Sequence, residues 1–134
     1  MVQFLTSLID PPQQFLAQRD FLAFAEGVSR IDGGIYISIG SAVMSPMVFE
    51  KSLSMAQNLA LQRGESIDQH YILVNDLAEI DWDWSQNEPP RDNPAYYLRF
   101  CKSFSRMGGE MIYAGGDNRI LLSNLWAILR ENKT

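Results

Sequence analysis

The stretch Asp32-Gly33-Gly34-Ile35-Tyr36-Ile37-Ser38-Ile39-Gly40-Ser41-Ala42-Val43-Met44-Ser45-Pro46 decides how this chain is read. Its centre, Ile35 to Ile39, is a short, mostly β-branched apolar run between glycines, the composition of a strand buried on both faces of a parallel sheet. Ser45-Pro46 places a capping hydroxyl ahead of a proline, the favoured order for opening a helix. Met47 to Arg63 then carries Val48, Met55 and Leu59 on one stripe and Leu53, Ala56 and Ala60 on its neighbour, a broad apolar face suited to a sheet, and Gly64 ends it. The unit reads strand, small-residue loop, helix. In an open α/β sheet, ligands bind beyond the carboxyl ends of the strands, where helix N-termini present free backbone N–H groups.

Working outward, the pattern repeats. His70 to Leu77 is a second strand, with Tyr71-Ile72-Leu73-Val74 at its core and Asn75-Asp76 at its carboxyl end. Asp92 or Asn93 caps a helix beginning at Pro94, where Tyr97, Phe100, Cys101 and Phe104 keep helical spacing to about Met107 before Gly108-Gly109. Met111 to Ala114 is a third short strand closed by Gly115-Gly116, and Asp117 caps a last helix, Asn118 to Glu131, with Leu121, Leu122, Leu125, Ile128 and Leu129 on its apolar face. Upstream, Phe15, Leu22, Ala25 and Val28 predict a helix over Gln13 to Val28. Before it, Val2 to Ile9 alternates weakly as a strand or extended arm, stopped by Asp10-Pro11-Pro12. A helix followed by three βα units predicts a single α/β domain over 1–134, Rossmann-like, with α/β/α layers and a small, mostly parallel sheet of three to four strands.

Composition narrows the function classes. The 134 residues are 46% hydrophobic and 20% charged, near the globular average, and uncharged apolar runs fall short of a bilayer span. A net charge of −5 argues against a nucleic-acid partner. One cysteine, Cys101, excludes an internal disulfide, and the first dozen residues lack a basic leader segment, so the expectation is a cytoplasmic protein with no membrane partner.

Three strand ends are expected on one rim: Gly40-Ser41-Ala42 with Ser45, Asn75-Asp76, and Gly115-Gly116-Asp117-Asn118. Small residues let a backbone approach a phosphate or carboxylate, helix N-termini favour negative charge, and Asp76 suits ribose or sugar hydroxyls. The same residues serve equally as turn and capping chemistry, the commoner fate of any one of them. Neither G-x-G-x-x-G after a strand nor a Walker-type loop is present. His70, the only histidine, stands at the amino end of its strand, away from such a crevice, and Cys101 lies on an apolar helical stripe. Between Ala78 and Asn93 an aperiodic segment holds Asp81, Asp83 and Glu88 among Trp82 and Trp84. It reads as a lid, a binding loop or a partner-facing surface, with a solvated acidic loop preferred over a metal site and tryptophans that commonly pack on their own domain.

Gly33-Gly34-Ile35-Tyr36-Ile37-Ser38-Ile39-Gly40-Ser41-Ala42-Val43, with Phe49-Glu50-Lys51-Ser52-Leu53-Ser54-Met55-Ala56-Gln57-Asn58-Leu59, resembles the later part of deoxyhypusine synthase-related proteins over about thirty residues. The resemblance implies a Rossmann-like layer of NAD-binding type, a ligand crevice at the carboxyl ends and, often, an oligomer. Beside that group's mostly longer members, the short length raises a further expectation, a terminal piece of a longer doubly wound protein whose missing strands supplied the rest of a site. The lysine-bearing segment behind the synthase's covalent chemistry has no counterpart here, so that activity is not implied. Two expectations follow. One is a domain binding an anionic small molecule, a nucleotide or sugar phosphate with an NAD-type dinucleotide among the candidates. The other is a non-catalytic interaction or oligomerisation module, a homo-oligomer or one associating with other chain segments.

Overall fold

The computed structural model of the chain describes residues 11–132 except 42, 78–80, 85 and 87. The expected segment at 2–9, the cap at Asp10, Ala42 of the first loop and the side chain of Cys101 lie outside the described residues. The order is helix α1 (Pro11–Ser29), strand β1 (Ile35–Ile39), α2 (Met44–Gln62), β2 (Tyr71–Asp76), a 3-10 turn (Pro94–Tyr97), α3 (Arg99–Ser105), β3 (Glu110–Gly115) and α4 (Asn118–Glu131). The strands form one parallel sheet in the order β1-β2-β3, with Tyr36 opposite Ile72 and Ile72 opposite Met111. The α/β reading with a small parallel sheet therefore holds, and helices flank the sheet.

Two local boundaries differ from expectation. Helix α2 begins at Met44, with Val43 at its cap position, so Ser45 and Pro46 lie inside the first turn. Proline is tolerated there because those N–H groups have no intrahelical acceptor. The helix expected from Pro94 to Met107 is broken: Asn93 caps a 3-10 turn by accepting from Ala95 N at 2.8 Å, and Leu98, with φ −81° and ψ 88°, separates it from α3.

Topology decides which face of the sheet is dressed. Right-handed crossovers stepping in one direction, β1 to β2 to β3, lay both crossover helices on the same face. The core accordingly lies on the side of Tyr36, Ile72, Val74, Met111 and Tyr113, packed against Phe49, Leu53, Ala56 and Ala60 of α2, Phe104 of α3 and Val28 of α1. Tyr36 stacks on Phe49 at 4.1 Å between ring centroids. The alternate residues face the other way, and among them Ile35, Tyr71 and Ile112 remain 52%, 46% and 43% exposed. The expectation that β1 is buried on both faces is thus corrected. Covering the second face requires a helix from a chain that reverses direction, and α4, the one helix following β3, buries none of its residues.

Candidate functional site

The rim at the carboxyl ends of the strands is built by short-range backbone chemistry and closed by one long-range pair. Gly40 N donates to Asn75 O at 3.3 Å and Gly116 N to Asp76 O at 2.9 Å, so the three strand tips lie side by side. Asn75 is 3% exposed. Its amide nitrogen donates to Asn118 Oδ1 at 2.6 Å and to Gly116 O at 3.2 Å, which uses both of its hydrogens. Gly40 has φ +65°, and a Cβ built there would lie 2.9 Å from Asn118 Nδ2, so a glycine is required by backbone and by neighbour alike. Gly40, Asn75, Gly116 and Asn118 are therefore brought together as expected.

The remaining expected site residues are engaged within the protein. Ser41 Oγ accepts from Ser45 N at 3.0 Å, while Ser45 Oγ bonds Tyr36 Oη at 2.7 Å and Ser38 Oγ at 2.8 Å, turning that hydroxyl toward the packed face. Asp76 Oδ1 accepts from Leu77 N at 2.8 Å. Asp117 caps α4 through Arg119 N at 2.7 Å and pairs with the Arg119 guanidinium at 3.0 Å. Those contacts, the guanidinium first, hold its carboxyl below the usual carboxylate range. A carboxylate thus already stands where an anion would meet the α4 N-terminus. Gly115 ends β3, exposed, beside Gly116. Chemically the rim offers a hydrogen-bonded amide pair flanked by two carboxylates, a surface better matched to hydroxyl donors than to a bare phosphate.

At the other end of the sheet stands the only histidine, where the sequence places it. His70 is 1% exposed, its ring 6.2 Å from that of Phe49, and neither ring nitrogen has a hydrogen-bond partner among the described residues. Burial holds its pKa below the usual imidazole value, against the opposing pull of the Asp32 and Asp68 carboxylates. Gly109, with φ +72°, lies so close that a Cβ would sit within van der Waals overlap of the His70 carbonyl. A cleft of 310 Å³ between α2 and α3 is lined by Leu53, Gln57 and Met107, with Glu50 and Arg106 at its polar side. It too lies away from the carboxyl-end rim.

Between β2 and the 3-10 turn, the described residues of the segment bring both tryptophans inward. Trp84 is 7% exposed within the core and Trp82 packs against it. Glu88 ties the segment to α3 through Lys102 and, at 3.0 Å, Arg106. The two indole N–H groups are buried with no partner among the described residues. Among the described residues no three His, Cys, Asp or Glu side chains group as a metal site, and no helix is long and apolar enough to cross a membrane. No protein-family model matches the chain, and no curated protein or solved structure is significantly similar to it.

Proposed function

We propose that this protein is a non-catalytic interaction module that buries its second sheet face, together with α4, against another polypeptide. One observation carries the reading: Ile35 and its partner Tyr71, with Ile112 two residues further along β3, stand exposed on one face of the sheet, and α4 leaves Trp126 65% exposed. Contiguous apolar surface of this kind marks an interaction site rather than ordinary exposed hydrophobics. The single cysteine, which allows no disulfide within one chain, supports a cytoplasmic setting. The test uses an apolar fluorescent dye on the purified chain. When the surface is uncovered, dye binds and Ile112→Lys removes the binding; when a partner covers it, dye binds only after dissociation. A monomer that is dark to dye, and whose melting is insensitive to Ile112→Lys, overturns the reading.

A second reading is favoured by the convergence of Gly40, Asn75, Gly116 and Asn118 on one rim. We infer a site there for an anionic small molecule carrying hydroxyls, a nucleotide or sugar phosphate, with an NAD-type dinucleotide as one candidate. Asp76 would accept from ribose or sugar hydroxyls, and Ser41 backs the first loop. Thermal shift against dinucleotides and phosphosugars tests it, since a ligand bound only by the folded state raises the melting temperature. A flat response across the panel at millimolar ligand removes this reading.

A further inference from the structure

We propose that the occupant of the open sheet face is a second copy of this chain, with α4 of each protomer laid across the sheet of the other about a two-fold axis. This rests on the interaction-module reading and names its partner. The first support is that both halves of the complement are present in one molecule: a sheet face whose Ile35, Tyr71 and Ile112 stay about half exposed, and a helix, α4, that buries none of its residues fully. Such mutual need is the requirement of an isologous interface, in which the same patch serves on both sides. α4 carries Leu122, Trp126 and Leu129 at spacing i, i+4, i+7, which are 50%, 65% and 54% exposed. Only Leu121 and Leu125 of its apolar residues are half-buried.

Dimensions and charge agree. The 14 residues of α4 span about 21 Å, and six-residue β2 about 20 Å, so one helix covers the height of the sheet. Glu110, opposite Tyr71 in the register, is the carboxylate at the amino edge of the open face, and Arg130 stands eight residues from Leu122 on the α4 stripe. Running antiparallel to the strands it covers, α4 of one copy brings its Arg130 to Glu110 of the other. The interface would cover Ile35, Tyr71, Ile112, Leu122, Trp126 and Leu129, each 43% exposed or more, toward the roughly 800 Å² per partner of a standard stable interface.

The test is light scattering after size exclusion on the full chain, with two charge reversals. Wild type is expected to run as a dimer at micromolar concentration. Glu110→Arg and Arg130→Glu each place like charges across the interface twice and weaken the dimer by about tenfold or more. Mixing the two variants restores both opposite-charge contacts in a heterodimer, and dimer mass returns. An α4 that instead folds back on its own sheet gives no recovery on mixing. A wild-type monomer overturns the second-copy proposal. If that monomer binds apolar dye, the interaction-module reading survives with a different partner, and if it is dark to dye both fail. A dimer indifferent to both reversals and to Trp126→Asp also overturns the proposal, because it forms through another surface.

Discussion

The two faces of the sheet come from the same three strands and from side chains of similar hydrophobicity, yet one is sealed and the other open. On the packed face Ile72 and Val74 are 0% and 1% exposed, whereas on the open face Ile35 and Ile112 are about half exposed. Ile35 and Ile112 lie on edge strands, but within central β2 alone the contrast persists, Leu73 being only half-buried on the open face. It comes from the direction of the crossovers, which places α2 and α3 together on one side and leaves the other to whatever follows β3. Stability and association are therefore carried by different faces, and substitutions should separate them.

The largest separation is expected from truncating one apolar side chain on each face. Phe49, 0% exposed and stacked on Tyr36, leaves a cavity on the packed face, and Phe49→Ala should cost about 3–5 kcal/mol in urea unfolding. Ile112→Ala on the open face should cost less than about 1 kcal/mol in the separated monomer while weakening association. Equal losses would break the contrast. A smaller but still severe effect is expected at the seam between β2 and β3. Gly109→Ala must place a side chain at φ +72° against the His70 carbonyl, which accepts Glu110 N at 2.9 Å, so register is lost with about 2–3 kcal/mol. Circular dichroism and urea melts measure it.

The anchor of α4 sharpens the contrast from the other side. Removing the Asn118 amide strips Asn75 of its 2.6 Å acceptor, at a cost of about 1 kcal/mol. Because α4 buries none of its residues fully within its own protomer, Asn118→Ala should raise amide exchange along α4 in the separated monomer and leave α2 protected. Uniform exchange across both helices would show that α4 is held by more than its first turn.

What the sequence made legible was local. Glycines bracketing Ile35–Ile39, Asp117 before Asn118, Asn93 before Pro94 and Gly64 after α2 each act within a few residues, and the elements they bound are where their chemistry puts them. The rim of Gly40, Asn75, Gly116 and Asn118 was legible as a cluster because βα junctions of a parallel sheet converge. The pairing of Asn75 with Asn118 across 43 residues was not, since an asparagine at a strand end reads equally as turn chemistry. The one-sided dressing of the sheet was hidden for a related reason. An apolar run such as Ile35–Ile39 has no period that distinguishes two covered faces from one, and coverage depends on strand order, a property of the whole chain. For Trp82 and Trp84 the aperiodic segment left a lid, a partner surface and packing on their own domain open, and their packing against the core, the commoner fate, is a tertiary choice.

The smallest expected effect concerns His70, which extends from the packed side of β2 and is buried without a hydrogen-bond partner among the described residues. Its folded-state pKa lies below the ordinary value of 6.5 because burial disfavours the imidazolium more than Asp32 and Asp68 favour it. The unfolded chain, with the ordinary value, takes up the proton first as pH falls through 6.5. Stability is therefore full above that pH and declines below it, until the folded protein is protonated as well. Glu88 and Asp117 do not confuse this window, because their carboxyls are held below their ordinary values of 4.5 and 3.8, so their contributions are lost only at lower pH. Urea midpoints should fall between about pH 7 and pH 5 in the wild type. His70→Leu keeps an apolar side chain of similar size and should flatten that slope while leaving the dimer intact, since His70 does not face the second copy. A slope that persists in His70→Leu would move the titrating group elsewhere, and a slope accompanied by dissociation would show that the two faces are coupled after all.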